Sequence, residues 1–346
     1  MSAWQEFKDK LALKWRSRAA PAGDSKGRSR PLLAVVLVLL LVLLLTSWYW
    51  SREPRVFWVD FDTAGQPAVT GYATTDALIG VANTLLDKPG GYLSNDLFPP
   101  GVFLDNIPNW EFGVLIQARD LARVLRNDYS RSQSQSTEDP DLSKAEPLFN
   151  FDSERWIPPA TEGRYHKAIG HVASYQARLT ATGDSDTQFY ARADNLREWL
   201  IVVEKRLGSL SQRLSASVGQ ARVNTDLAGD PDADTATPRP DVIMVKTPWT
   251  KIDDVFFEAC GTAWALVHFL RAAEYDFREV LNKKNATVSL RQIIRELEAS
   301  LEPLRSPMVL NGTGYGLFAN HSLVMASYLS RANSAVINLR ELLDQG

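Results

Sequence analysis

His166 and His171, in the stretch HKAIGH, stand five residues apart. On a helix that spacing turns two imidazoles to different faces, whereas metal-binding pairs use spacings of three or four. They read as surface or capping histidines. Cys260, the single cysteine, and His268 lie eight apart, about 12 Å along one helix. A thiol and a base at that distance share no hydrogen bond without another segment's help. Cys260 therefore reads as a buried free thiol and His268 as a solvent-facing side chain. Asp60 and Asp62 project from one face of a short strand and have the chemistry to bind a cation or act as acid and base. No third ligand accompanies them, so they read as a solvated, membrane-proximal face. Gly312-Thr313-Gly314-Tyr315-Gly316 precedes a helix, as a phosphate loop does. It lacks the Lys-Ser/Thr ending, the full spacing and a preceding strand, and it reads as a flexible loop. The sequons at Asn285, Asn311 and Asn320 matter only in a glycosylating host. No G-x-S-x-G, HExxH or paired CxxC motif occurs, so the sequence assigns no catalytic residue, no cofactor and no metal.

The elements that carry these residues begin with an anchor. From Arg30 to Arg52 no charged residue intervenes, and Leu32 to Leu45 are all Leu, Val or Ala. Such a run favours bilayer insertion by roughly 4 to 8 kcal/mol and, at about 20 residues, is long enough to cross the hydrocarbon. Trp48, Tyr49 and Trp50 supply an aromatic cluster at headgroup level. A cleaved signal ends on small residues. Here bulky aromatics follow Thr46-Ser47 directly, so the span, residues 32–51, is read as retained. Residues 1–31 hold eight basic and three acidic residues, net +5; the remaining thirty basic and thirty-eight acidic residues give net −8. The positive-inside rule puts the tail in the cytoplasm and the large acidic portion across the membrane.

Within the tail, Trp4, Phe7, Leu11 and Trp15 recur on one helical face with lysines and arginines around them. A basic interfacial helix on an anionic leaflet fits that pattern. Ala20 to Arg30 reads as a flexible tether. The acidic exported portion argues against a nucleic-acid partner, and one cysteine permits no intrachain disulfide.

Past the span the pattern predicts an all-α domain, a multi-helix bundle with at most a short β element at Val56 to Asp62. Thr74 or Thr75 caps a helix that Gly90-Gly91 ends; a second runs from about Asn109 to Asp128 with Trp110, Val114, Ala118, Leu121 and Leu125 inward. Residues 130–141 read as a mobile loop. Phe189, Ala193, Leu196, Leu200, Val203, Leu207, Leu210 and Leu214 form an unbroken heptad seam. Trp199, Ile201 and Val202 broaden it, which favours packing inside the domain's own bundle over a homo-oligomer through residues 189–214. Residues 228–247 read as an acidic, Pro-rich linker or exposed loop between helical regions 52–227 and 248–346. Three helices follow it: one capped by Asp253 or Asp254 and reaching about Lys283, one from Thr287 or Ser289, and one over Ala319 to Leu343.

The basic tail, a span ending in TSWYWSREP, the VFWVDFD start and the PPGVFLDNIPNWEFG loop are similar to a proteobacterial family of single-span proteins described only as domain of unknown function 2333. The resemblance covers nearly the whole chain. It implies a Gram-negative inner membrane and periplasm and brings no catalytic residue with it. The reading that follows is a membrane-anchored periplasmic interaction or scaffold protein. Its partners are the lipid bilayer, through span and tail, and an envelope protein. The rival classes are a hydrolase acting on peptidoglycan or lipid, and a helical accessory protein binding an apolar ligand for envelope transport.

Overall fold

The apolar run after Arg30 forms helix α1 (Lys26–Trp50). The computed structural model describes residues 26–58, 62–63, 66–67, 69–133, 135–181, 187–223, 242–306 and 308–345. The proposed interfacial helix of the tail and Asp60 lie outside these residues. Within α1, Leu32–Trp50 has a mean hydropathy of 2.7 and none of it is buried, so by length and composition it qualifies to cross a bilayer. The helix starts at Lys26, inside the segment expected to be a tether, because extending a nucleated helix is far easier than starting one.

The chain divides at Trp48, and Tyr49–Gly346 forms one compact unit. It is all-α. Its helices are α2 (Tyr72–Asp87), α3 (Asn106–Val124), α4 (Leu142–Phe149), α5 (Thr161–Thr180), α6 (Ala193–Ser215), α7 (Ile252–Asp276), α8 (Arg278–Lys283), α9 (Thr287–Ser300) and α10 (His321–Asp344). Among the described residues, strands form two antiparallel ribbons: β1 (Asp62–Thr63) with β2 (Gln66–Pro67), and β3 (Gln220–Val223) with β4 (Val242–Val245). Of the strand expected over Val56 to Asp62, Val56 to Trp58 take no regular structure and Asp62 lies in β1, while residues 59–61 lie outside the described ones. Phe57 is drawn instead onto the helices, its ring 4.0 Å from that of His268 and 5.9 Å from that of Trp264.

Helix α7 is the central element. It packs on α2, α3 and α9 and is buried on nearly every side between Ala259 and Ala273. Its contact with α3 is unusually close. A Cβ on Gly261 would lie 2.0 Å from the Trp110 carbonyl oxygen, and one on Gly113 would lie 2.1 Å from that of Glu258. Glycine at both positions lets the two backbones touch, with the Trp110 and Trp264 rings 5.1 Å apart beside the crossing. The helix stops at Asp276 rather than continuing to Lys283. Phe277 leaves helical geometry there, and its ring is buried against Tyr129 and Phe189.

The heptad seam lies inside this unit. Leu196, Leu200, Val203, Leu207, Leu210 and Leu214 are all buried, and α6 packs chiefly on α10. The pair is antiparallel: Ser211 Oγ donates to the Ala326 carbonyl, Glu204 pairs with Arg340, and Arg197 with Asp344. Helix α10 answers with its own alternation of fours and threes, Met325, Leu329, Ala332, Val336, Leu339 and Leu343, every one buried. This is coiled-coil packing within one chain.

One expected cap is corrected. Neither Thr74 nor Thr75 caps α2, which begins earlier, at Tyr72 behind a left-handed Gly71 (φ 92°). The cap comes from another helix: Asp276 accepts from the Gly71 and Thr74 amides at 2.8 and 2.7 Å and from the Thr74 hydroxyl at 2.6 Å. The segment expected to link two halves ends in β4, paired Gln220↔Val245 through Val223↔Val242. Residues 224–241 lie outside the described ones.

Candidate functional site

The singled-out residues come apart in the structure. His166 is exposed on α5, while His171 on the same helix bonds through Nδ1 to Asp141 at 3.0 Å. Asp141 and Asp139 also hold Arg178, and Arg126 holds Glu138, so the end of the loop expected to be mobile is tied down by ion pairs. Gly312 to Gly316 form a turn closed by Gly316 N donating to Thr313 O at 2.8 Å, with Tyr315 fully exposed. Asn320, offered as a sequon, is 8% exposed and caps α10, accepting from the Leu323 amide at 2.8 Å and donating to Gly312 O. Asp62 lies in β1, and Asp60, its expected partner, lies outside the described residues.

Cys260 is buried, as expected, and burial together with the Glu53 charge holds its thiol well above the usual range. His268 corrects the expectation outright: it is 0% exposed. Nδ1 donates to the Trp264 carbonyl at 2.7 Å, and Nε2 accepts from the Phe57 amide at 3.1 Å. Burial lowers its pKa to about 4, so the ring is neutral. His268 thus pins the chain just after α1 to the central helix, and no hydrogen bond joins it to Cys260.

Among the buried carboxylates that escaped notice, two brace the fold. One is Asp276, the remote cap. The other, Glu111, is 0% exposed in α3 and faces a loop: Oε1 accepts from Lys88 Nζ and the Leu93 amide, and Oε2 from the Ser94 amide and hydroxyl. A carboxylate so saturated with donors is a brace. The signal was present, since Glu111 stands in register with buried Leu115, Ala118 and Ala122.

The braced loop presents an apolar surface. Leu97, Phe98, Val102 and Phe103 are each at least half exposed, as are Trp156 and Ile157 on the neighbouring loop. Tyr92 donates to Ser153 O at 3.0 Å and Asn95 to Arg155 O at 3.2 Å, which fastens the two loops at their base. In sequence, Asp96 precedes the first group, Asp105 stands two residues past Phe103, and Glu154 and Arg155 precede Trp156.

A cleft of about 500 Å³ opens between α3, α6 and α7. Its two carboxylates are each engaged by a forked guanidinium: Asp120 by Arg206 at 2.7 and 3.0 Å, and Glu258 by Arg213 at 2.7 Å on both oxygens. Phe112, Ile116, Val202 and Leu210 give it apolar walls. It is neither a purely apolar groove nor a pair of carboxylates poised for acid–base work.

Residues 24–346 match a family described as "Uncharacterized protein conserved in bacteria (DUF2333)". No curated protein and no solved structure matches the chain.

Proposed function

The chain belongs to this bacterial family, and from that premise we propose that it is a single-span inner-membrane protein acting as an interaction or scaffold protein in the periplasm. The apolar α1, the aromatic residues closing it and the charge step from +5 to −8 all favour a cytoplasmic N-terminus. The observation that carries the interaction reading is the surface on the two fastened loops. Six large apolar side chains held in water on a braced frame, with charges around them, mark a contact site. The polar surroundings suit an envelope protein with a matching apolar patch.

A photo-crosslinking residue at Phe103 or Trp156 of the full-length chain, activated in intact cells, tests this. One discrete protein adduct, lost in Phe98→Asp, is expected. Adducts to lipid alone, or none at either site, would remove the interaction reading. A C-terminal alkaline phosphatase fusion should be active; an inactive fusion would reverse the topology.

A further inference from the structure

The cleft between α3, α6 and α7 holds donors that the fold leaves unused. Gln117 lines it and is 2% exposed, yet its Nε2 has no hydrogen-bond partner. Buried amides without partners are rare in folded proteins because the lost hydration is not replaced. The terminal torsion of glutamine is soft, so a modest rotation turns this amide toward whatever enters. Arg123 and Lys205 on the cleft's edge are exposed and form no ion pair among the described residues. Their neighbours Arg206 and Arg213 are each neutralised by a carboxylate. The lining therefore carries two uncompensated positive charges, although the chain beyond residue 31 is net −8. Phe112 and Ile116 give the same cleft an apolar wall.

We propose that this cleft binds an anionic amphiphile: a phosphate or carboxylate oxyanion held by Arg123, Lys205 and the Gln117 amide, with an apolar body against Phe112 and Ile116. Two fixed cations and an amide donor are the recognition elements of an oxyanion. The apolar wall distinguishes the ligand from a simple inorganic ion. A lipid headgroup and a soluble amphiphilic anion share this chemistry. The site stands apart from the apolar loops and does not depend on them.

The test uses the full-length protein in phosphatidylcholine nanodiscs, titrated calorimetrically with hexyl phosphate, inorganic phosphate and hexanol. Hexyl phosphate should bind once per chain and more tightly than either of the others. The surface double variant Arg123→Gln/Lys205→Gln should weaken it about tenfold or more, with unchanged thermal unfolding, and should flatten its salt dependence. Gln117→Leu should weaken it several-fold; if that variant fails to fold, the double variant decides. Including phosphatidylglycerol in the nanodiscs separates the sources. Weakened binding identifies a lipid headgroup as the occupant, and unchanged binding a soluble anion. Hexyl phosphate binding no tighter than hexanol, or equally well to the double variant, would overturn the proposal.

Discussion

Replacing Gly261 with alanine adds one methyl group, and the structure says where it must go. The new Cβ would stand 2.0 Å from the Trp110 carbonyl oxygen and 2.8 Å from its carbon, both backbone atoms of α3. No rotamer relieves that clash, so α3 and α7 must part by about 1 Å or more to restore ordinary contact. A gap of that size forfeits a quarter to a half of the attraction along the line of contact. Overpacking of this kind costs about 1 to 3 kcal/mol, and here the obstacle is rigid. Set against it is a gain of about 1 kcal/mol in helix propensity. With a rigid obstacle the upper end applies, and a net loss of about 2 kcal/mol follows, which lowers the unfolding midpoint by roughly 3 °C for a unit of this size. Gly163→Ala and Gly170→Ala are internal controls. They make the same chemical change on α5, where a Cβ meets nothing within 4 Å, and should raise stability slightly. Thermal unfolding followed by circular dichroism reads all three. If Gly261→Ala is as stable as the wild type while the controls behave as stated, the close crossing of α3 and α7 is wrong.

Further outcomes follow from the same packing. Leu200→Asp places a carboxylate at a 0% exposed position between α6 and α10 and should unfold the helical unit; a folded monomer with full helix content in circular dichroism and sedimentation would place the seam on a surface instead. His268 has its pKa lowered to about 4 from about 6.5 in the unfolded chain, so the folded state binds fewer protons. Its contribution is complete above pH 6.5 and is lost as pH falls toward 4, by about 3 kcal/mol in all. His268→Gln should therefore remove about one proton from the pH dependence of urea unfolding across that window, and an unchanged slope would contradict a buried neutral ring. Cys260→Ala should cost about 1 kcal/mol through a small cavity, and the wild-type thiol should react with an alkylating reagent only once denaturant is added.

What the sequence disclosed was whatever is local and periodic. The charge-free run of α1, the inward face of α3 from Trp110 to Leu125, and the heptad of α6 are each set by neighbours three and four residues away. What it concealed was the identity of distant partners. His268 appeared solvent-facing because its acceptor role is satisfied by the Phe57 amide, 211 residues earlier in the chain. Thr74 looked like a cap because no local rule points to Asp276, 202 residues on. Val56 to Asp62 read as a strand because aromatic and branched residues suit strands and helix surfaces alike. The contact loop entered only as the PPGVFLDNIPNWEFG stretch, because the partners that make Glu111 its brace lie up to 23 residues away. The cleft was not legible at all. Asp120 and Arg206 stand 86 residues apart, and only the folded chain shows which arginines are engaged and which are left over.

The antiparallel pairing of α6 with α10 also sets a schedule. Each seam residue of α6 meets its partner only after a long stretch of chain has been made: 115 residues separate Ser211 from Ala326, and 136 separate Glu204 from Arg340. At about 5 to 20 residues per second, the leucine face stands uncovered for roughly 6 to 27 seconds during synthesis. Through that interval an amphipathic helix with a dimer-like seam is present without its mate, in a compartment where every emerging chain carries the same seam. Pairing between two nascent chains competes with the correct intramolecular closure until the last 24-residue helix arrives. Loss of even the final turns of that helix, which carry Leu339 and Leu343, would make the exposure permanent.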